Sequence, residues 1–322
     1  MLDRIRGLAI PPAWEDVWIC PYPTGHIQAT GVDAAGRKQY RYHDGWRERR
    51  DREKFESMTR FARALPGLRE EVAKDLAREG LPRDKVLACA VRLLDRGFFR
   101  IGSEDYAEEN DTYGIATLQK RHARVKGDEV AFDYESKGGQ RRLQSIGDPE
   151  VAEIVRALKQ RRGGGEDLLA YKDGRRWVDV KSADINEYVK RVTGDDFSAK
   201  DFRTWSGTVL AAVALAVSGP AHARPTSRKR AKARAVKEVA RYLGNTPAIA
   251  RTSYIDPRVF DRFDGGLTIA GALPDLAEDT AAWPRLQGAI EQGVIDLIER
   301  DTSSEAIERA KDVTRELAEA AA

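Results

Sequence analysis

From Phe55 onward, apolar residues recur mostly at three- and four-residue spacing, the mark of helices with one buried face. Phe55 to Leu65 and Leu68 to Arg78 carry it first, and Pro66-Gly67 reads as a break between them. A longer helix is expected from Arg83 to Phe99, with Val86, Leu87, Ala90, Val91 and Leu94 as its inner stripe. It runs into Phe98-Phe99-Arg100-Ile101-Gly102, where Arg100 lies beside core aromatics. Its guanidinium either snorkels to solvent or is held for a purpose. Further helices are predicted near Pro149 to Arg161, Ala183 to Val192, Ser198 to Ala216 and Val236 to Leu243. After Pro257 the pattern predicts a glycine-rich turn, then amphipathic helices at about Trp283 to Arg300 and Ser304 to Ala320.

Two stretches alternate instead. Before residue 55, Pro11-Pro12, Pro21, Pro23, Gly25, Gly31 and Gly36 punctuate the chain, and His26 to Thr30 and Arg37 to His43 read as strands. Alternation puts Lys38, Tyr40 and Tyr42 on one face of the second strand, and Gln39, Arg41 and His43 on the other. Near 128–146, Val130, Phe132 and Tyr134 alternate, a turn over Glu135 to Gln140 follows, and Leu143 to Ile146 returns. Lys137 sits beside Gly138-Gly139 at this hairpin tip, an ordinary place for a solvated lysine. The expected organisation is α+β, with a small β-rich domain over 1–55 and a larger, mainly α-helical domain over 56–322.

Helix ends narrow the chemistry. Ser198-Ala199-Lys200-Asp201 has a capping-box pattern with Asp in the last place. Arg203 falls in the first turn behind it, where a cation opposes the helix dipole and calls for an acidic partner or an anionic ligand. Leu243 to Asp256 reads LGNTPAIARTSYID. Thr246 can cap a helix, Pro247 suits its first turn and Pro257 stops continuation, so Asn245 precedes a short helix and Tyr254 closes it. A tyrosine there, in an arginine-rich chain, is a candidate nucleophile toward phosphate. Its other reading is a packed ring with a hydrogen-bonded hydroxyl.

Charged residues make up 33% of the 322, mean hydropathy is −0.56, and no apolar run reaches transmembrane length. The N-terminal stretch lacks the long apolar region of a secretory signal. Cys20, Cys89 and the scattered His26, His43, His122 and His222 match no metal-ligand spacing, so no metal site and a reducing cytoplasm are expected. Net charge is only +3, but the chain after Pro274 holds twelve acids against five bases, leaving the rest cationic. Arg37 to Lys54 has eight bases against four acids, interleaved with Tyr40, Tyr42 and Trp46; Arg224 to Arg234 has six bases and no acid. The second run lies in Ser218 to Lys232, which reads as a flexible connector. Such patches suit a polyanion, most simply nucleic acid, and equally suit a solvated, salt-bridged surface.

A tyrosine attacking a phosphodiester needs cations on the nonbridging oxygens and a proton for the leaving alkoxide. Arginines meet the first need, and a lysine the second. Phe98-Phe-Arg-Ile-Gly102, Glu109-Asn-Asp-Thr-Tyr-Gly114, Ser136-Lys-Gly-Gly139, Lys200-Asp-Phe-Arg-Thr204, Gly244-Asn-Thr-Pro-Ala248 and Ser253-Tyr254 occur in that order. With Gln28-Ala-Thr-Gly31 and Gly36-Arg-Lys-Gln-Tyr40, they resemble the type IB DNA topoisomerases, specifically the short bacterial and poxvirus-like group. The resemblance weakens after about Asp264. It implies a catalytic domain of the tyrosine recombinase and topoisomerase IB type, with Tyr254 as nucleophile in a 3′-phosphotyrosyl bond. It further implies that Arg100 and Arg203 clamp the phosphate and that Lys137 is the general acid. Asn245 stands where viral and nuclear members carry histidine; an amide donates a hydrogen bond but does not titrate.

Gln39, Tyr40, Tyr42 and Tyr106 match positions where the family touches DNA. The implied partner is double-stranded DNA, held by a monomer closing as a clamp, in the cytoplasm at the nucleoid. No cofactor, ATP or metal is required. Tyrosine recombinases share the core chemistry, but usually have histidine where Lys200 stands and a helical N-terminal domain. A non-catalytic DNA clamp is the remaining alternative. If phosphate contacts dominate, duplex affinity measured by anisotropy should fall steeply with salt through counterion release; a flat dependence would reject that.

Overall fold

A computed structural model describes residues 2–104, 107–108, 111–218, 225–273 and 283–309. The chain divides into two compact units, Met1–Thr59 and Arg60–Ala322. The first opens with α1 (Leu2–Gly7) and holds an antiparallel sheet in the order β1 (Glu15–Ile19), β2 (Ile27–Val32), β3 (Lys38–Tyr42). β1 escapes sequence reading because four of its five residues are exposed and its register shifts between Glu15 and Trp18. Buried Gln28 organises the loop before β2: its amide donates to the carbonyls of Tyr22, Pro23 and Gly25, and accepts from Arg4. Tyr40 and Tyr42 stack at 5.9 Å, as their shared strand face requires, and Tyr42 stacks on Trp46 at 4.5 Å.

Helix α2 (Asp44–Leu76) runs unbroken through Pro66, and the boundary between the units falls within it. The expected break at Pro66-Gly67 is therefore corrected. A helix-interior proline costs about 3 kcal/mol. Phe61, Leu65, Leu68 and Val72 are all at most 2% exposed, and burial at about 2 kcal/mol each outweighs that cost. Next come α3 (Arg83–Gly97) and an antiparallel sheet of β4 (Ala123–Lys126), β5 (Glu129–Ser136) and β6 (Gln140–Gly147). Helix α4 (Pro149–Gln160), the hairpin β7 (Ala170–Asp173) and β8 (Arg176–Asp179), and α5 (Ser182–Thr193) follow. That hairpin was not legible, because its four-residue strands are too short to show a period.

Three helices carry the later motifs: α6 (Ala199–Val217), α7 (Pro225–Leu243) and α8 (Pro247–Ser253). The supposed connector Ser218 to Lys232 is corrected: Pro225 onward is helix, while 219–224 lie outside the described residues. Ala231, Ala235, Val236, Val239 and Ala240 are buried at helical spacing, so the basic run is the outer face of α7. After Pro257 comes α9 (Pro257–Asp264), not a glycine turn; proline starts it and the Asp256 carboxylate accepts from the Arg258 N–H at 2.9 Å. Gly265-Gly266 follow instead. Helix α10 (Trp283–Glu299) matches expectation, but 304–309 form turns and β10 (Glu308–Arg309), paired with β9 (Leu267–Thr268). The rest of the expected helix Ser304 to Ala320 lies outside the described residues.

Aromatic contacts seat the segments that bear the motifs. Phe61 of α2 meets Phe197 and Phe202 edge-on at 5.3 and 4.9 Å, fixing the start of α6. Phe99 meets Phe132 of β5 edge-on at 5.1 Å. Polar ties do the rest. Arg69 is bidentate to Asp95 and to Glu291, and Trp205 Nε1 donates to Glu291 at 3.0 Å, joining α2, α3, α6 and α10. Among the described residues no helix is long and apolar enough to cross a membrane. Removing Arg69 strands two nearly buried carboxylates, so Arg69→Ala should cost about 3 kcal/mol in urea unfolding. A midpoint unchanged from wild type would refute the role given to this tie.

Candidate functional site

Helix α7 ends in a Schellman turn: Asn245 N–H donates to Ala240 O at 2.9 Å, Gly244 N–H to Arg241 O at 3.3 Å, and Gly244 takes φ +60°. The turn leaves carbonyl oxygens exposed at the negative end of the helix dipole. Three arginines from three segments use them. Arg142 of β6 donates to Arg241 O and Tyr242 O, Arg203 of α6 to Leu243 O at 2.7 Å, and Arg100 to Gly244 O at 2.9 Å.

Arg203 is 4% exposed, and its other Nη donates to Phe98 O at 2.6 Å. Phe98 caps α3 in a left-handed conformation, φ +56°, which turns that carbonyl out of the helix. Among the described residues Arg203 has no carboxylate partner, and its Nε is buried without an acceptor. The expected demand for an acid or an anion is thus met in part by carbonyls. Burial, reinforced by repulsion from Arg100, pushes its pKa down to about 10, still cationic at neutral pH.

Arg100 is half-buried. Its own carbonyl accepts from Ile115 N–H at 2.8 Å, and that of Ile101 from Ala116 N–H at 2.7 Å, which fixes the segment after α3. Burial, then repulsion from Arg142, lowers its pKa. Besides Gly244 O, it donates to Asn245 Oδ1 at 2.5 Å. That bond orients the amide and leaves Nδ2 as a buried donor without a partner among the described residues.

Thr246 caps α8 by accepting from Ile249 N–H at 3.3 Å, and Tyr254 ends that helix. The Arg203 guanidinium lies over the Tyr254 ring, 5.2 Å from its centroid. Burial alone would raise the phenol's pKa; the charges of Arg203 and Arg100 outweigh it and bring it below the ordinary value. Lys137 is exposed at the β5–β6 tip, where Gly138 and Gly139 take φ of +83° and +69°, conformations that favour glycine. One cleft of about 680 Å³ is lined by Arg100, Lys137, Arg203, Asn245 and Tyr254, together with Lys200, Thr112 and others.

Three residues expected to touch DNA are absent from that lining, and a fourth is not described. Gln39, Tyr40 and Tyr42 belong to the first unit, where Gln39 donates to Asp33 at 2.9 Å. Tyr106 lies outside the described residues.

The family model described as the catalytic core of eukaryotic DNA topoisomerase I matches residues 43–264, and that of the bacterial DNA topoisomerase IB N-terminal domain matches residues 1–33. The chain belongs to the type IB DNA topoisomerases. It is 31% identical to DNA topoisomerase 1B of Acanthamoeba polyphaga mimivirus over 262 residues, 79% of this chain and 77% of that protein. It is 20% identical to DNA topoisomerase 1B of vaccinia virus (strain Copenhagen) over 239 residues, 72% and 70% of the two chains. DNA topoisomerase 1 of Daucus carota is 26% identical over 161 residues, 49% of this chain but 19% of its own length.

In this topoisomerase, sequence reasoning passed over Arg142. The signal was present: on β6 Arg142 and Gln144 are half-buried and Ile146 is buried, while Arg141, Leu143 and Ser145 between them are exposed, so Arg142 is a cation on the more inward face. Lys200, weighed only as a mismatch to recombinases, lines the cleft. The geometry predicts an early-titrating tyrosine. The phenolate band of wild type minus Tyr254→Phe should appear below about pH 10, and Arg203→Ala should move it upward, since losing the cation favours the neutral phenol. An unmoved band would reject the guanidinium as its cause.

Proposed function

We propose that this type IB topoisomerase relaxes supercoiled duplex DNA by cutting and resealing one strand through Tyr254. One observation carries the reading: a single cleft gathers a phenol of lowered pKa, two desolvated arginines and a lysine, with buried donors on Arg203 and Asn245 lacking acceptors. Unsatisfied buried donors next to uncompensated cations suit a bound phosphate.

In the proposed step, Tyr254 Oη attacks phosphorus as its proton leaves to water. The bond from phosphorus to the 5′ oxygen breaks, and Lys137 protonates that oxygen. The products are a 3′-phosphotyrosine and a 5′-hydroxyl. Arg100 and Arg203 hold the nonbridging oxygens, and Asn245 Nδ2 donates to the phosphate without proton transfer. The free end swivels, and the 5′-hydroxyl attacks phosphorus to expel Tyr254. The phosphotyrosine conserves the bond energy, so no ATP is consumed, and the arginines supply the charge a metal would. The first unit, through Gln39, Tyr40 and Tyr42, and Tyr106 on the second, touch the duplex as a single chain closes around it, at the nucleoid.

Supercoiled plasmid in EDTA without ATP should relax with wild type, while Tyr254→Phe binds DNA and forms no adduct on a denaturing gel. A persistent adduct in that variant would reject the nucleophile. Lys137→Ala should slow cleavage by about 10²–10⁴-fold. A duplex whose 5′ bridging oxygen is sulfur, which leaves without a proton, should restore Lys137→Ala and not Tyr254→Phe. Equal loss on both duplexes would remove Lys137 from the acid role.

A further inference from the structure

The nucleophile's main chain is held from the same helix that carries Arg203. Thr208 of α6 is fully buried. Its hydroxyl donates to Tyr254 O at 3.2 Å and accepts from Asp256 N–H at 3.1 Å, so one side chain spans the turn between α8 and α9. Gly207 precedes it. A Cβ there would stand 2.8 Å from Tyr254 O, closer than packed atoms allow, and 3.2 Å from Tyr254 Cβ, a tight contact. The same Cβ would lie 3.2 Å from Cδ1 of Leu243, the residue whose carbonyl accepts from Arg203.

Gly207 is four residues after Arg203, on the same helix face. Glycine weakens a helix interior, so its presence in α6 answers to the approach of the Tyr254 backbone. We infer that Gly207 and Thr208 are positioning residues for the reaction: they register the Tyr254 backbone against the helix that presents Arg203. The inference rests on reading Tyr254 as nucleophile. Neither residue lines the cleft, and neither touches the phosphate in the proposed step. Their effect falls on the attack distance of the phenol, where a displacement of about 1 Å is enough to slow chemistry about a hundredfold.

The experiment is single-turnover adduct formation on a suicide duplex at saturating enzyme, with duplex affinity and thermal melting measured alongside. Thr208→Val keeps the shape and removes the hydroxyl's bonds to Tyr254 O and Asp256 N–H; it should slow adduct formation by about 10–100-fold with duplex affinity unchanged. Thr208→Ser should restore the rate. Gly207→Ala should slow it similarly, despite the better helix former.

A wild-type rate in folded Thr208→Val and Gly207→Ala would overturn the inference. So would a Thr208→Ser as slow as Thr208→Val, or a rate loss matched by lost affinity. Should Thr208→Val fail to fold, Gly207→Ala and Thr208→Ser decide by the same criteria. Tyr254→Phe run in parallel separates the two failures. An adduct in that variant rejects the nucleophile itself, whereas its absence beside an unimpaired Thr208→Val rejects only the positioning role.

Discussion

The carbonyl oxygens at the C-terminus of α7 are the fixed point of the catalytic unit. Three guanidiniums from β6, α6 and the segment after α3 converge on four consecutive carbonyls, Arg241 to Gly244. Cations so close repel, and burial of Arg100 and Arg203 adds to the cost. A helix terminus answers both problems, because it offers unpaired acceptors with about half a negative charge and no carboxylate. The same turn then hands the chain to Asn245, to the cap of α8 and so to Tyr254. Arginine placement and tyrosine placement descend from a single helix end.

The balance is incomplete. Hydrogen bonds to a charged group contribute about 1.5–3 kcal/mol each. Moving a guanidinium out of water costs several kcal/mol. Two carbonyl contacts on Arg203 nearly offset that, but Nε stays without an acceptor, as does Asn245 Nδ2. On the proposed mechanism a phosphodiester fills this deficit. A carboxylate in its place would have neutralised the arginines and raised the phenol's pKa.

Much of the site was legible. Thr246, Pro247 and Pro257 fix the ends of α8 by local capping chemistry, so the place of Tyr254 at a helix terminus could be read directly. Arg203 could be singled out because its charge opposes the dipole of α6. The partners of those arginines could not be read, since Phe98 O and Leu243 O are backbone atoms brought near by tertiary packing. Elsewhere, long-range burial overrode local rules. Pro66 did not break α2, because the apolar stripe on either side of it is buried. The basic run after Pro225 was not a loose connector, because Ala231, Ala235 and the valines that follow are buried. Strands β1, β7 and β8 were hidden by exposure and brevity.

The family match stops at residue 264, yet the fold does not. Glu291 of α10 supplies half the counter-charge of Arg69 and the acceptor for Trp205, two residues after Arg203. Arg262 of α9 in turn binds the carbonyls of Leu297 and Ile298 at the end of α10. A chain cut at residue 264 would expose the back of α6 and leave both arginines reaching for absent oxygens. The matched core and the mechanically self-sufficient unit have different borders in this enzyme, and the helix beyond the match braces the one that bears Arg203.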